Sequence, residues 1–192
     1  RGAIDSDLPI EINLRNIAAC LGKNVSDLVV VILDRPRNQT LIENVRKAGA
    51  RIQLIPDGDL SPAIATAFED SGVDVLAGIG GAPEEVLAAA ALRCLEGEMQ
   101  ARLWPSRPGE VERAQAMGIT DVHRKLTMDD LVRGDDVIFA ATGVTTGELL
   151  DGVRYEGSIA KTHSIVMRGT TGTIRIVRAS HRLDKKPFYV RC

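Results

Sequence analysis

Aromatic residues make up only 3% of this 192-residue sequence, too few for the stacking platforms that single-stranded nucleic acids need. A basic excess is also lacking. The 24 Lys and Arg stand against 26 Asp and Glu, a formal net charge of −2, so no nucleic-acid partner is expected. Apolar runs are short, far below the roughly 20 residues of a membrane-spanning helix, and no membrane association is expected. Cysteine is scarce. Cys20, Cys94 and Cys192 are widely spaced and odd in number, which excludes a disulfide framework. Cys20 and Cys94 fall in Ala/Leu-rich helical patterns and are expected to be buried thiols of the core. A reduced, cytoplasmic setting follows. No signal-peptide pattern opens the chain at Arg1.

Familiar catalytic signatures are missing as well. Gly78-x-Gly80-x-x-Pro83 lacks the third glycine of a dinucleotide-binding turn. There is no P-loop and no G-x-S-x-G elbow. His123, His163 and His181 stand alone without zinc-ligand spacing, and His163 and His181 read as structural residues on strands.

What is present is alternation. Residues 1–8 read as a connector, and Pro9 to Leu21 as a helix with Leu14, Ile17, Ala18 and Leu21 on one face. Leu28 to Leu33 is a continuous apolar run, the pattern of a strand buried on both sides. A helix is predicted over 38–48, a strand over 51–55, a helix over 60–68, a strand over 73–77 and a long helix over 85–95. Short connections between strands and helices argue a mostly parallel sheet with helices on both faces. Further on, Glu110 to Met117 reads as a helix and Thr127-Met128-Asp129-Asp130 as a helix start. Residues 136–141 read as another buried strand, followed by the turn Thr142 to Gly147. Residues 159–167 and 172–179 are predicted to pair as an antiparallel hairpin at the sheet edge, and Lys185-Lys186-Pro187 to be a loose end.

In an open α/β sheet, ligands bind beyond the carboxyl ends of the strands. The turns found there are Asp34-Arg35-Pro36-Arg37, Pro56-Asp57-Gly58-Asp59, Gly78 to Glu84, and Thr142-Gly143. If the strands are neighbours, the turns share one rim. Arginines hold phosphate through forked, charge-assisted bonds. Asp57 and Asp59 are acceptors for sugar hydroxyls or a cation, though they also suit a turn and a helix cap. Gly78 to Gly81 leaves bare N–H groups at a helix start, which favour an anion. Glu84 in the first helical turn either complements the helix dipole or supplies an oxygen to Mg²⁺ or Mn²⁺.

With these motifs assembled, the chain resembles the class II, GlpX-type fructose-1,6-bisphosphatases of bacteria. The matching stretches are 33–37, 55–59, 78–84 and 137–144. The resemblance implies a fold of the lithium-sensitive sugar phosphatase superfamily. It implies metal-dependent hydrolysis of fructose 1,6-bisphosphate to fructose 6-phosphate in gluconeogenesis, with Mn²⁺ or Mg²⁺ as cofactor. Carried over by motif, Arg35, Pro36, Arg37, Asp57, Gly58, Asp59 and Gly81 would bind substrate, and Glu84 would ligate metal. The catalytic residues are not assigned. The resemblance also implies a preceding region with the remaining acidic metal ligands. On this reading residues 9–192 form a C-terminal α/β substrate domain, the N-terminal metal-binding domain is missing from this chain, and the fragment alone is inactive. A homo-oligomer is expected. The alternatives are a non-catalytic sugar-phosphate binding module, a phosphatase that also accepts sedoheptulose 1,7-bisphosphate, and a related phosphatase acting on an inositol or nucleotide phosphate.

Overall fold

A computed structural model describes residues 2–134, 136–147 and 149–186. Helix α1 (Ile10–Leu21) turns Leu14, Ile17 and Ala18 inward and ends at Gly22, whose φ of 64° closes the helix in the left-handed region. The strands that follow are β1 (Val29–Leu33), β2 (Arg51–Ile55) and β3 (Val75–Leu76). They form a parallel sheet in the order β2-β1-β3. Between them come α2 (Gln39–Ala48) and α3 (Leu60–Ala65), and α4 (Ala82–Cys94) follows β3. As the middle strand, β1 is screened on both sides, and Val30, Val31 and Ile32 are fully buried. Its Val30 and Ile32 pack with Leu14, Ile17, Ile42 and Val45, while Val31 and Leu33 pack with Ile55, Ala65 and Val73. Two cores thus share one strand, as its continuous apolar sequence requires.

The second half of the chain builds a separate sheet. After the short helices α5 (Glu110–Ala116) and α6 (Met128–Leu131) come β4 (Ile138–Thr142), β5 (Arg154–Glu156), β6 (Ile159–Arg168) and β7 (Thr173–Arg182). All pairings are antiparallel: β4 and β5 share one side of β6, and β7 runs along the other. Phe139, Ile165 and Met167 pack against Ile64 of α3 and against Ala91 and Cys94 of α4. Among the described residues β7 pairs only with β6 and is therefore an edge. Three arginines, Arg175, Arg178 and Arg182, stand on it.

The structure corrects the sequence reading in several places. There is not one mostly parallel sheet with a hairpin at its margin; the parallel part has three strands, and the hairpin belongs to a second, antiparallel sheet. The strand read over 136–141 lies antiparallel to β6 and not beside β1. An apolar run looks the same in either setting, so composition could not separate them. Strand β5 was not read at all, because its three residues are exposed. Cys20 is exposed and Cys94 buried. The inward stripe of α1 runs through Leu14, Ile17 and Ala18, and a residue two positions beyond Ala18 points about 200° away from it. Lys185 closes a short 3₁₀ turn, Leu183–Lys185; Pro187 lies outside the described residues.

Candidate active site

The loops after β2, β1 and β3 leave adjacent parallel strands at the same end, so sheet order alone brings them together. The first is fixed by turn chemistry. Asp57 accepts a hydrogen bond from the Gly58 N–H at 3.0 Å, and Gly58 takes φ 83°, a value that favours glycine. Asp59 then occupies the N-cap position of α3 and is only 9% exposed. Among the described residues no other residue donates a hydrogen bond to its carboxylate. Burial, chiefly, raises the Asp59 pKa; its own backbone N–H opposes the rise, and the charges of Glu84 and Asp57 add to it.

The loop after β1 carries Arg35, Pro36 and Arg37 into a short 3₁₀ turn, Pro36–Asn38. Arg37 is exposed at its head, and its Nε donates to the Ile79 carbonyl at 2.8 Å. Arg35 bends back toward the Asp34 carbonyl at 3.4 Å. The residue that locks this loop is Asn38, 1% exposed. Its Nδ2 donates to Leu33 O and its Oδ1 accepts from Ile79 N–H, each at 2.9 Å. Sequence reasoning passed over Asn38, since an Asn after Arg-Pro-Arg reads as an ordinary helix start.

The glycine turn is the third wall. Gly81 is the extended N-cap of α4, with Pro83, Glu84 and Glu85 in the first turn of that helix. Glu84 is exposed and folds back over Gly81, while Asp59 and Glu85 each bring a carboxylate oxygen against Gly80. A Cβ on Gly80 would overlap both. Glu85 was read only as part of a helix, yet it is half-buried, and its carboxyl is pushed up to about 7, first by burial and then by the charges of Asp59 and Glu84.

The structure therefore brings Arg37, Asp59, Gly81 and Glu84 to one rim, with Arg35, Pro36, Asp57 and Gly58 on its outer side. Thr142-Gly143 ends a strand of the other sheet and so is not the fourth turn of this rim. Gly147, farther along the same turn, does come near α3: a Cβ on it would lie 3.6 Å from Ser61 Oγ. A shallow depression of about 460 Å³ lies behind the rim, floored by Ala77, Gly78 and Ile79 and walled by Arg37, Leu41 and the two-thirds-exposed Trp104. None of the carboxylates lines it. Among the described residues no three His, Cys, Asp or Glu side chains group closely enough to enclose a metal. The donors present are all carboxylate oxygens, which suit a hard divalent cation held by one or two carboxylates plus substrate and water.

Two sheets, a glycine turn opening a helix, and an arginine beside clustered carboxylates at one strand-end rim characterise this α/β protein. Across residues 1–181 the chain matches the family of bacterial fructose-1,6-bisphosphatases, glpX-encoded, and it belongs to that family. It is 44% identical to the fructose-1,6-bisphosphatase class 2 of Haemophilus influenzae over 197 aligned residues, which cover 96% of this chain and 59% of that protein. It is 45% identical to fructose-1,6-bisphosphatase 1 class 2 of Escherichia coli K12 over 199, covering 97% of this chain and 59% of that protein. The chain thus spans about three-fifths of the length of these curated relatives.

Proposed function

We propose that this chain carries the substrate side of a metal-dependent fructose-1,6-bisphosphatase, within the lithium-sensitive sugar phosphatase superfamily. The observation that carries the reading is the meeting of Arg37, Asp59 and Glu84 at one strand-end rim, in a chain whose relatives bear that enzyme's name. Residues 9–192 act as the substrate domain, completed by metal ligands that other parts of the whole protein supply.

Each group has a task that its position suits. The Arg37 guanidinium is fixed through Nε to Ile79 O, leaving its remaining N–H groups for phosphate oxygens. Arg35 adds charge, and Pro36 stiffens the turn that presents both. Asp57, Gly58 and Asp59 orient sugar hydroxyls, which holds the phosphoryl group in line for attack by water. Gly81 offers a backbone N–H at the α4 N-terminus. Glu84 holds the divalent cation, for which we propose Mn²⁺ or Mg²⁺. When bound, such a cation offsets phosphoryl charge and acidifies water. The site as read sits in a homo-oligomeric, cytoplasmic enzyme.

The test is phosphate release from fructose 1,6-bisphosphate by the whole protein with Mn²⁺, beside calorimetry of sugar bisphosphate binding to this chain in a chelator. Arg37→Ala is expected to weaken binding at least about tenfold, a loss of roughly 1.4 kcal/mol. Unchanged affinity would overturn the assignment. A second reading, a sugar-phosphate binding module without catalysis, is favoured by the lack of any three-residue metal group among the described residues. It predicts binding without turnover under every metal condition. A panel with sedoheptulose 1,7-bisphosphate, inositol phosphate and nucleotide phosphate separates the remaining substrates.

A further inference from the structure

We propose that His163 is a proton-sensitive latch, holding residues 149–153 against β6 at neutral pH and releasing them in acid. His163 lies on β6, and its Nδ1 accepts the Asp151 backbone N–H at 3.0 Å. A ring nitrogen that accepts carries no hydrogen, so the neutral ring bears its proton on Nε2. That atom is buried and has no hydrogen-bond partner among the described residues. The ring is thus moored at one edge only, and its single hydrogen bond exists only while Nδ1 is bare.

Protonation inverts that bond. An imidazolium donates from both nitrogens, so the new Nδ1–H would point at another N–H. An acceptor stands beside it: Asp151 Oδ2 lies 3.4 Å from Nδ1. The ring exchanges the backbone of Asp151 for the carboxylate of the same residue, and the Asp151 N–H loses its acceptor. Two arginines share that carboxylate, Arg178 from the position facing His163 on β7 at 3.7 Å and Arg154 of β5 at 3.9 Å. Lys161, two residues earlier on β6, is engaged by Glu156. Toward β4 the neighbour is Gly143, whose N–H bonds His163 O at 3.0 Å and which brings no charge. Among the described residues no charged side chain of α3 or α4 makes an ion pair with the ring. The element biased by the proton is therefore the chain around Asp151. Leu150, beside it, is buried in one cluster with Ile64 of α3, so its release would loosen the packing behind the helix that starts at Asp59.

The experiment follows amide hydrogen exchange of the 192-residue chain by NMR over the range in which histidines titrate, about pH 5 to 8, with each rate corrected for the intrinsic pH dependence of exchange. The expected result is at least about tenfold less protection of the Asp151 amide at the acid end. The Ala101 amide, bonded to Leu126 O at 3.0 Å, is the control and keeps its protection. In His163→Gln the Asp151 protection is expected to be the same at both ends of the range. The imidazole ¹⁵N shifts of the wild type provide a reading that needs no variant: a proton on Nε2 at pH 8, with Nδ1 gaining one as the Asp151 protection is lost. Constant wild-type protection overturns the proposal, as does an equal fall in His163→Gln or a neutral ring protonated on Nδ1. None of these readouts involves sugar phosphate or metal, so they stand apart from the substrate reading.

Discussion

Asn38 and Ile79 are 41 residues apart, and the side chain of the first accepts the backbone N–H of the second at 2.9 Å. Through Leu33 O the same side chain also grips the end of β1. One amide thus sets the distance between the arginine turn and the glycine turn. Asn38→Ala leaves the part-buried Ile79 N–H without its partner, while Leu33 O keeps its hydrogen bond from the Arg35 N–H at 2.9 Å, a cost of about 1–3 kcal/mol. Urea denaturation is expected to show a loss of roughly 1–3 kcal/mol. Sugar-bisphosphate affinity falls with it, since Arg37 loses its frame. A loss below about 0.5 kcal/mol would count against this role.

Gly143 tests the seam between the two halves of the second sheet. A Cβ there meets the backbone carbonyl of Asp151 and, at 3.1 Å, the Leu150 side chain. Backbone cannot swing aside as a side-chain tip can, so Gly143→Ala is expected to cost about 1–3 kcal/mol. Differential scanning calorimetry should show a lower Tm. Gly147→Ala, whose Cβ would meet, among the described residues, only Ser61 Oγ at 3.6 Å, is the matched control and is expected to be near neutral.

Asp130 gives a pH signature away from the rim. It pairs with Arg124 at 2.8 Å and closes a capping box with Thr127 at the start of α6. The Arg124 hydrogen bond first, then those from Thr127, hold its carboxyl down at about 2. Because the folded pKa lies below the unfolded value, the contribution is complete above the ordinary Asp pKa and is lost as pH falls toward 2. Asp130→Asn is therefore expected to lower Tm slightly at pH 7, with the difference vanishing near pH 2. A constant difference across that window would refute the assignment.

Arg37→Lys asks whether geometry or charge matters at the rim. Lysine keeps the charge, but it lacks a fork that bonds Ile79 O and phosphate together. Affinity for fructose 1,6-bisphosphate is expected to drop about as far as in Arg37→Ala. Recovery to near wild type would show that charge alone suffices.

Much of the first half of the fold was legible, because each signal there is local. β1 shows as an apolar run, and α1 and α2 end at glycines of positive φ; in the second half only the Thr127–Asp130 spacing, a capping box, is as local a signal. The second sheet was not legible, since pairing of β4 with β6 is decided by partners some 25 residues away, and apolar composition is silent on strand direction. At the rim, Arg37 and Glu84 stood out by residue type and by the resemblance. Asn38 and Glu85 did not: one matters through burial and the other through a neighbour across Gly80, and neither leaves a mark in spacing.

The outer edge of β7 carries a further consequence. Among the described residues, ten residues of strand offer unpaired backbone along one side, a template on which chains aggregate. Its arginines are of the kind that act as gatekeepers, with Arg182 tied to Asp184 at 2.7 Å and Arg178 lying 3.7 Å from Asp151. Replacing Arg175 and Arg178 with apolar residues would join Ile174, Ile176 and Val177 into one sticky ribbon, and concentrated solutions of such a variant would be prone to fibres rather than to unfolding.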